Sequence, residues 1–225
     1  MLVLAIDTST SIGTLALYDD KKGVIGEITL NVKQNHSAIT MTTLDCLLTL
    51  TGVDKNEIDK VAVSTGPGSF TGIRIGVGLA KGLAYALKTS IAGINELDLL
   101  ASMYIGDKKI VSMLDARKER VFCGIYKGNC DKLTLEGEYM ADELDIILNM
   151  IDEEAIFVGD GAFIYRDIIK AKMGDKAIFM PNSLNISRAS LLGEMAVEKE
   201  DNLFTLEPYY ISKSQAEKEK ENKNK

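Results

Sequence analysis

Apolar positions at the start of the chain recur with a period of two. LVLAID (2–7) is an apolar run ending in Asp, which predicts a buried strand. IGTLALYDD (12–20) alternates Ile12, Thr14 and Ala16 against Gly13, Leu15 and Leu17, DDKKG (19–23) supplies a turn, and VIGEITLNV (24–32) reads as a third strand. Near Ser37 the spacing becomes helical. VAVSTG (61–66) is the next buried strand, followed by a long helix from about Ser69 to Leu87, a strand IAGI (91–94) and a helix from about Asn95 to Tyr104. The order is βββαβαβα.

The pattern restarts at KKIVSMLDARKERVFCGIYKG (108–128), two strands joined through the polar ARKER turn. A helix near 141–151, strand AIFVGDG (155–161), a helix near 163–172, strand AIFM (177–180) and a helix near 187–200 complete it. A strand hairpin opens each half and αβ units follow. This predicts an α/β chain of two related domains of βββαβα type, 1–105 and 106–212, although the halves share no obvious sequence repeat. The tail KSQAEKEKENKNK (213–225) is expected to be solvated and disordered.

Composition narrows the chemistry. The 225 residues are 46% hydrophobic and 26% charged, enough to build a core. The net charge is −7, and neither half is basic, so the chain has no electrostatic footprint for binding nucleic acid unaided. Cys46, Cys123 and Cys130 are odd in number and have no CxxC spacing, which argues against a disulfide framework or a zinc ribbon. They imply a reducing, cytoplasmic setting, with Cys46 read as a small buried hydrophobe. No charged leader or apolar stretch of 18 residues predicts secretion or membrane insertion. His36 is the only histidine, so a metal site built on two histidines is unavailable within one chain. A catalytic triad would have to use His36 itself; the adjacent His36-Ser37 reads better as a helix start.

STGPGSFTG (64–72) invites a phosphate-loop reading that its spacing defeats. Gly66 and Gly72 are six apart, Ile73 stands where a Walker lysine would, and Gly66-x-Gly68 is followed by Ser69, Phe70 and Thr71 before the next glycine. A Gly-rich turn into a helix N-terminus remains, with Ser69 either capping the helix or helping to expose backbone N–H groups to an anion. Asp7 and Thr8 at the first strand's end can hold a magnesium–phosphate complex or cap a turn. VGDGA (158–162), with Gly159 and Gly161, is a similar strand-then-glycine turn. Asp7, Thr8, Gly66, Gly68, Ser69, Gly159 and Gly161 therefore form a candidate vestigial nucleotide cleft between the halves. DARKER (115–120) reads as a solvated hairpin turn.

Two helices are undercharged. In 69–87, Gly76, Leu79, Leu83 and Leu87 form a face expected to meet the sheet, and Arg74, Lys81 and Lys88 form a narrow stripe opposite. Ile73, Val77 and Ala84 lie on one side of that stripe, and Gly78, Gly82 and Tyr85 on the other. Small residues at Gly72, Gly76, Ala80 and Ala84 make a ridge that a second backbone could approach closely. HSAITMTTLDCLLTLTG (36–52) places Met41, Leu44, Leu48 and Thr51 in one stripe, with Ile39, Cys46, Leu47 and Leu50 beside it and Asp45 as its certain charge. Either these helices pack only on each other and their sheet, or they form a protein–protein interface; the pattern favours the second.

MLVLAIDTST, HS before an apolar helix, STGPGSFTGIRIGVGLAKGLA and LDARKERVFCGIY resemble the bacterial TsaB (YeaZ) family over about residues 1–127, with VGDGA and PYYIS (208–212) fitting more loosely. The resemblance implies the actin/Hsp70-like (ASKHA, ribonuclease H-like) two-domain fold. It implies an accessory, non-enzymatic subunit in making threonylcarbamoyladenosine at the adenosine 3′ of the tRNA anticodon. The implied partners are the catalytic TsaD subunit, the ATPase TsaE and, without them, a second copy, with tRNA met only through the complex and no membrane. No cofactor is implied beyond a degenerate nucleotide site at a subunit interface. The family's contact helices correspond to about 37–51 and 70–87, giving interface residues Met41, Leu44, Leu48, Ile73, Arg74, Gly76, Val77, Gly78, Lys81 and Tyr85. A related ATP-dependent phosphotransferase is the alternative, and a peptidase a third reading that the missing metal histidines disfavour.

Overall fold

The computed structural model describes residues 1–31, 36–129 and 132–211; the expected tail at 213–225 and Cys130 lie outside them. The first sheet contains β1 (Leu2–Asp7), β2 (Ile12–Asp19), β3 (Gly23–Asn31), β4 (Lys60–Gly66) and β5 (Ser90–Asn95), in the order β3-β2-β1-β4-β5. β1 runs antiparallel to β2 and parallel to β4. The intervening helices are α1 (His36–Thr51), α2 (Phe70–Leu87) and α3 (Glu96–Ala101).

The second sheet repeats that order. Its strands are β6 (Lys109–Asp115), β7 (Arg120–Asn129), β8 (Lys132–Leu135), β9 (Met140–Glu143), β10 (Ala155–Val158) and β11 (Ala177–Phe179). The order is β11-β10-β6-β7-β8, with β9 paired on β7. β6 takes the place of β1, antiparallel to its hairpin partner and parallel to β10. Four helices follow the strands: α4 (Leu144–Asn149), α5 (Asp160–Ile164), α6 (Arg166–Met173) and α7 (Ala189–Met195). The chain thus holds two related α/β units, as the hairpin-first pattern implied.

Alternation along β1 sorts the core. Leu4 and Ile6 join Val61 and Val63 under α1 and α2, whereas Val3, Ala5 and Ala62 turn to the opposite face under α7. α3 serves both sheets, Leu99 packing in the first unit and Leu97 and Leu100 against Ile110, Leu114 and Ile156 of the second.

Several boundaries differ from expectation. Residues 140–143 extend a strand along β7 instead of opening a helix, with Arg120 opposite Glu143 in the ladder. The expected strand 155–161 ends at Val158, the helix near 163–172 is divided into α5 and α6, and the helix near 187–200 contracts to Ala189–Met195. α7 and the segment behind it, which the expected boundaries of 1–105 and 106–212 assign to the second domain, return to the first sheet. Asp201 bridges to Ile91 and accepts a hydrogen bond from Gly93 N at 2.8 Å, and Tyr209 N donates to Thr65 O at 2.8 Å. Val3, Ala5 and Ala62 need that cover, which the first 105 residues do not supply.

Lys60 fastens the return. Its side chain is buried, and Nζ donates to the carbonyls of Ala196, the C-cap of α7, and of Val197 and Lys199 just beyond it, at 3.0, 3.0 and 2.7 Å. Replacing Lys60 with Met should strand these carbonyls and lower stability by about 3 kcal/mol, measured from urea unfolding.

Candidate functional site

The glycine turn before α2 is packed against the turn after β1. Ser69 caps α2, its side chain accepting from Gly72 N at 3.3 Å, and its own N–H donates to Ser9 O at 2.6 Å. Thr8 Oγ1 donates to Gly72 O at 2.7 Å. A Cβ on Gly68 would lie 2.2 Å from Ser9 O, one on Gly72 2.1 Å from Thr8 O, and one on Gly76 2.6 Å from Thr8 Oγ1. These glycines therefore let the chain approach itself.

This corrects the expected faces of α2. Gly72, Gly76, Ala80 and Ala84 are buried together with Ile73 and Val77, so the small-residue ridge lies on the chain's own sheet. Leu79, Leu83 and Leu87 flank this contact, half-buried. Small residues bring α2 close enough for Ile73 and Val77 to reach Ile6 and Val63.

Asp7 ends β1 inside this packing, fully buried with Thr8 and Ser9. Its Oδ1 accepts from Ser9 N at 2.8 Å, whereas Oδ2 and Ser9 Oγ have no hydrogen-bond partner among the described residues. Beside it stands Glu96, also fully buried, whose carboxyl accepts from Ser64 Oγ at 2.6 Å and from Ser187 Oγ. Ends of β1 and β4 and the starts of α3 and α7 thus converge on two carboxyl groups. Burial pushes the Asp7 carboxyl up to about 6, against the opposing effect of its hydrogen bonds. Glu96 is raised well above the usual carboxylate range by burial and then by the neighbouring Asp7 charge. Both carboxyls are thus shifted toward their protonated forms.

Both folded-state values lie above the unfolded ones, so the stabilisation is full below about pH 4 and is lost as pH rises through about 6 and beyond. Thermal melts between pH 5 and 8 should show a midpoint falling with pH, and Glu96→Gln should flatten that slope. A slope unchanged in Glu96→Gln would contradict assigning the pH dependence to this pair.

In the second unit, a Cβ on Gly159 would lie 2.2 Å from Met113 O, and one on Gly161 3.0 Å from the Leu114 carbonyl carbon. Asn185 closes the turn, accepting from Gly159 N at 2.6 Å and donating to Gly159 O at 2.8 Å. A cavity of about 350 Å³ lies between Tyr18, Met103, Leu184 and Arg188, and another of about 420 Å³ between Leu48, Val53 and Lys55. None of the candidate cleft residues lines either one. Among the described residues, no three His, Cys, Asp or Glu side chains are grouped to hold a metal ion, and no helix is long and apolar enough to cross a membrane.

The outer faces of α1 and α2 remain exposed. Met41, Leu50 and Tyr85 are 48%, 75% and 69% exposed, and Gly78 and Gly82 have open space where a Cβ would stand. Cys46 is exposed here as well, against the expectation of a buried residue, because Leu44 and Leu47 occupy the sheet-facing side of α1. Of the candidate interface residues, Leu44, Ile73, Gly76 and Val77 are spent inside the chain, while Met41, Arg74, Gly78 and Tyr85 face outward with Leu48 and Lys81 half-exposed. Lys81 Nζ donates to Phe204 O and Leu206 O at 3.2 and 2.9 Å, and Arg74 Nε to Tyr210 Oη at 2.8 Å. Tyr210 was marked in the sequence only as part of PYYIS, and Glu96 and Lys60 gave no sign there, where Glu96 resembles any acidic residue in a helix's first turn.

The family model described as "TsaD: tRNA N6-adenosine threonylcarbamoyltransferase" matches residues 11–220. A Bacillus subtilis (strain 168) protein named tRNA threonylcarbamoyladenosine biosynthesis protein TsaB is 31% identical over 223 residues, 96% of each chain. A protein of the same name from Buchnera aphidicola subsp. Schizaphis graminum is 33% identical, covering 82% of this chain and 90% of its own. The solved structure of YeaZ from Pseudomonas aeruginosa superposes with a TM-score of 0.74 at 23% identity, covering 93% of this chain and 99% of its own. It supports the same fold.

Proposed function

Because the chain belongs to the TsaB (YeaZ) family, whose members are named tRNA threonylcarbamoyladenosine biosynthesis proteins, we propose that it is a non-catalytic accessory subunit of that biosynthesis, acting in the cytoplasm. In this reading it binds and supports the catalytic TsaD subunit together with the ATPase TsaE, pairs with a second copy when they are absent, and meets tRNA only through the complex.

The observation that carries the reading is the filled cleft. Ser9 and Thr8 occupy the space beside Gly68 and Gly72, Ile73 and Tyr209 that beside Gly66, and Asn185 takes the backbone N–H of Gly159. The N–H groups of Ser69, Gly72 and Gly159, which a phosphotransferase would turn to phosphate, are engaged within the chain. A net charge of −7 fits a protein that reaches tRNA through a partner.

Binding falls to the outward faces of α1 and α2. Met41, Leu48, Arg74, Gly78, Lys81 and Tyr85 are the proposed contacts, with Leu44, Ile73, Gly76 and Val77 as the packed underside that holds them. An exposed apolar face with few charges is the expected signature of a subunit contact. Calorimetry tests the proposal. The catalytic subunit titrated into the chain should give a saturable heat, and Mg-ATP with the chain alone should give neither micromolar binding nor turnover. ATP turnover lost in Asp7→Ala would overturn it in favour of a phosphotransferase.

A further inference from the structure

The start of α2 carries an arginine fixed in a way that ordinary surface arginines are not. Phe70 and Arg74, four apart in the helix, share a face, and the Arg74 Cζ lies 3.8 Å from the Phe70 ring centroid. Tyr210, from the returning C-terminal segment, stacks with Phe70 at 5.0 Å between centroids and an interplanar angle of 29°. It also accepts from Arg74 Nε at 2.8 Å, and its ring centroid is 5.8 Å from the guanidinium. The segment is itself anchored one residue earlier, where Tyr209 N donates to Thr65 O. Among the described residues, the two terminal nitrogens of Arg74 form no hydrogen bond or ion pair, and the side chain is exposed.

We propose that Arg74, held by Phe70 and Tyr210, is a carboxylate receptor that pairs with an Asp or Glu side chain of the partner subunit and anchors the interface. The inference rests on the assembly reading above. Nε is committed to Tyr210, which leaves the terminal nitrogens as a planar fork matching the two oxygens of a carboxylate. Because the aromatic pair and Tyr210 Oη hold the side chain, little of its rotational freedom is left to lose on binding. Its surroundings select a protein carboxylate over a nucleic-acid phosphate. Gly78 and Tyr85 extend the same face as uncharged positions, and Lys81 between them is turned onto the carbonyls of Phe204 and Leu206, which leaves Arg74 as the cation with free donors beside them. A phosphate backbone would call for a basic surround, and the chain is acidic.

The test measures affinity of the full chain for the catalytic subunit by calorimetry, in parallel with the chain's self-association by sedimentation. Arg74→Ala should weaken binding at least tenfold with an unchanged circular dichroism spectrum. Arg74→Lys should restore little of it, since an ammonium lacks the fork. Tyr210→Phe, which keeps the stack and loses the hydroxyl, should weaken binding by a smaller factor than Arg74→Ala. Arg74→Glu should be rescued by changing one partner carboxylate to Lys. Wild-type binding with Arg74→Ala within twofold of it overturns the receptor while leaving the assembly reading intact. Loss of tRNA binding by the complex with unchanged subunit affinity overturns it in favour of a phosphate contact. A wild-type chain that binds neither the catalytic subunit nor a second copy overturns both.

Discussion

Gly72→Ala is expected to destabilise the isolated chain by about 3 kcal/mol, although alanine is the better helix former. The added Cβ would sit 2.1 Å from Thr8 O, a backbone atom that is held in place by the buried turn after β1. Relief requires α2 to lift from its sheet or the Asp7–Ser9 turn to move, and either change disturbs the Asp7–Glu96 pair. Gly78→Ala in the same helix is the control. Nothing lies within 4 Å of its Cβ position, so the substitution should stabilise the chain by about 0.5–1 kcal/mol. Urea unfolding of both variants separates the two faces. A small-residue ridge reserved for a partner would leave Gly72→Ala as mild as Gly78→Ala.

Gly78→Arg is expected to leave the isolated fold intact and to weaken association with the catalytic subunit on the order of 100-fold, about 2.7 kcal/mol. Gly78 is exposed in the middle of the α2 outer face, between Arg74 and Tyr85. A long charged side chain there would hold a packed surface apart and place an unpaired cation in its core. Gly76→Arg is no substitute, because Gly76 already faces Thr8 and Val63 and its replacement would act through folding. Affinity and unfolding measured on the same Gly78→Arg preparation keep the two effects apart.

The architecture was legible because strands and helices differ in apolar period. The repeat was visible as hairpin-first order. The direction in which α2's small residues point was not legible. Gly72, Gly76, Ala80 and Ala84 allow close approach to any backbone, and only the turn after β1 decides that the approach is internal. Cys46 failed for a related reason, since an almost uncharged helix does not announce which apolar stripe is buried. Glu96, Lys60 and Tyr210 meet their partners across separations of 32, 136 and 136 residues. No local pattern encodes such a contact, and for the same reason the return of 187–211 to the first sheet escaped the domain reading.

The proposed docking of the exposed faces of α1 and α2 onto the catalytic subunit can be read as a mass. The direct measurement is the mass in solution, by light scattering during gel filtration, of the chain mixed with the TsaD subunit. A complex containing both chains is expected for the wild type and separate species for Gly78→Arg. Separate species in the wild-type mixture, or an undiminished complex with a folded Gly78→Arg chain, would contradict it.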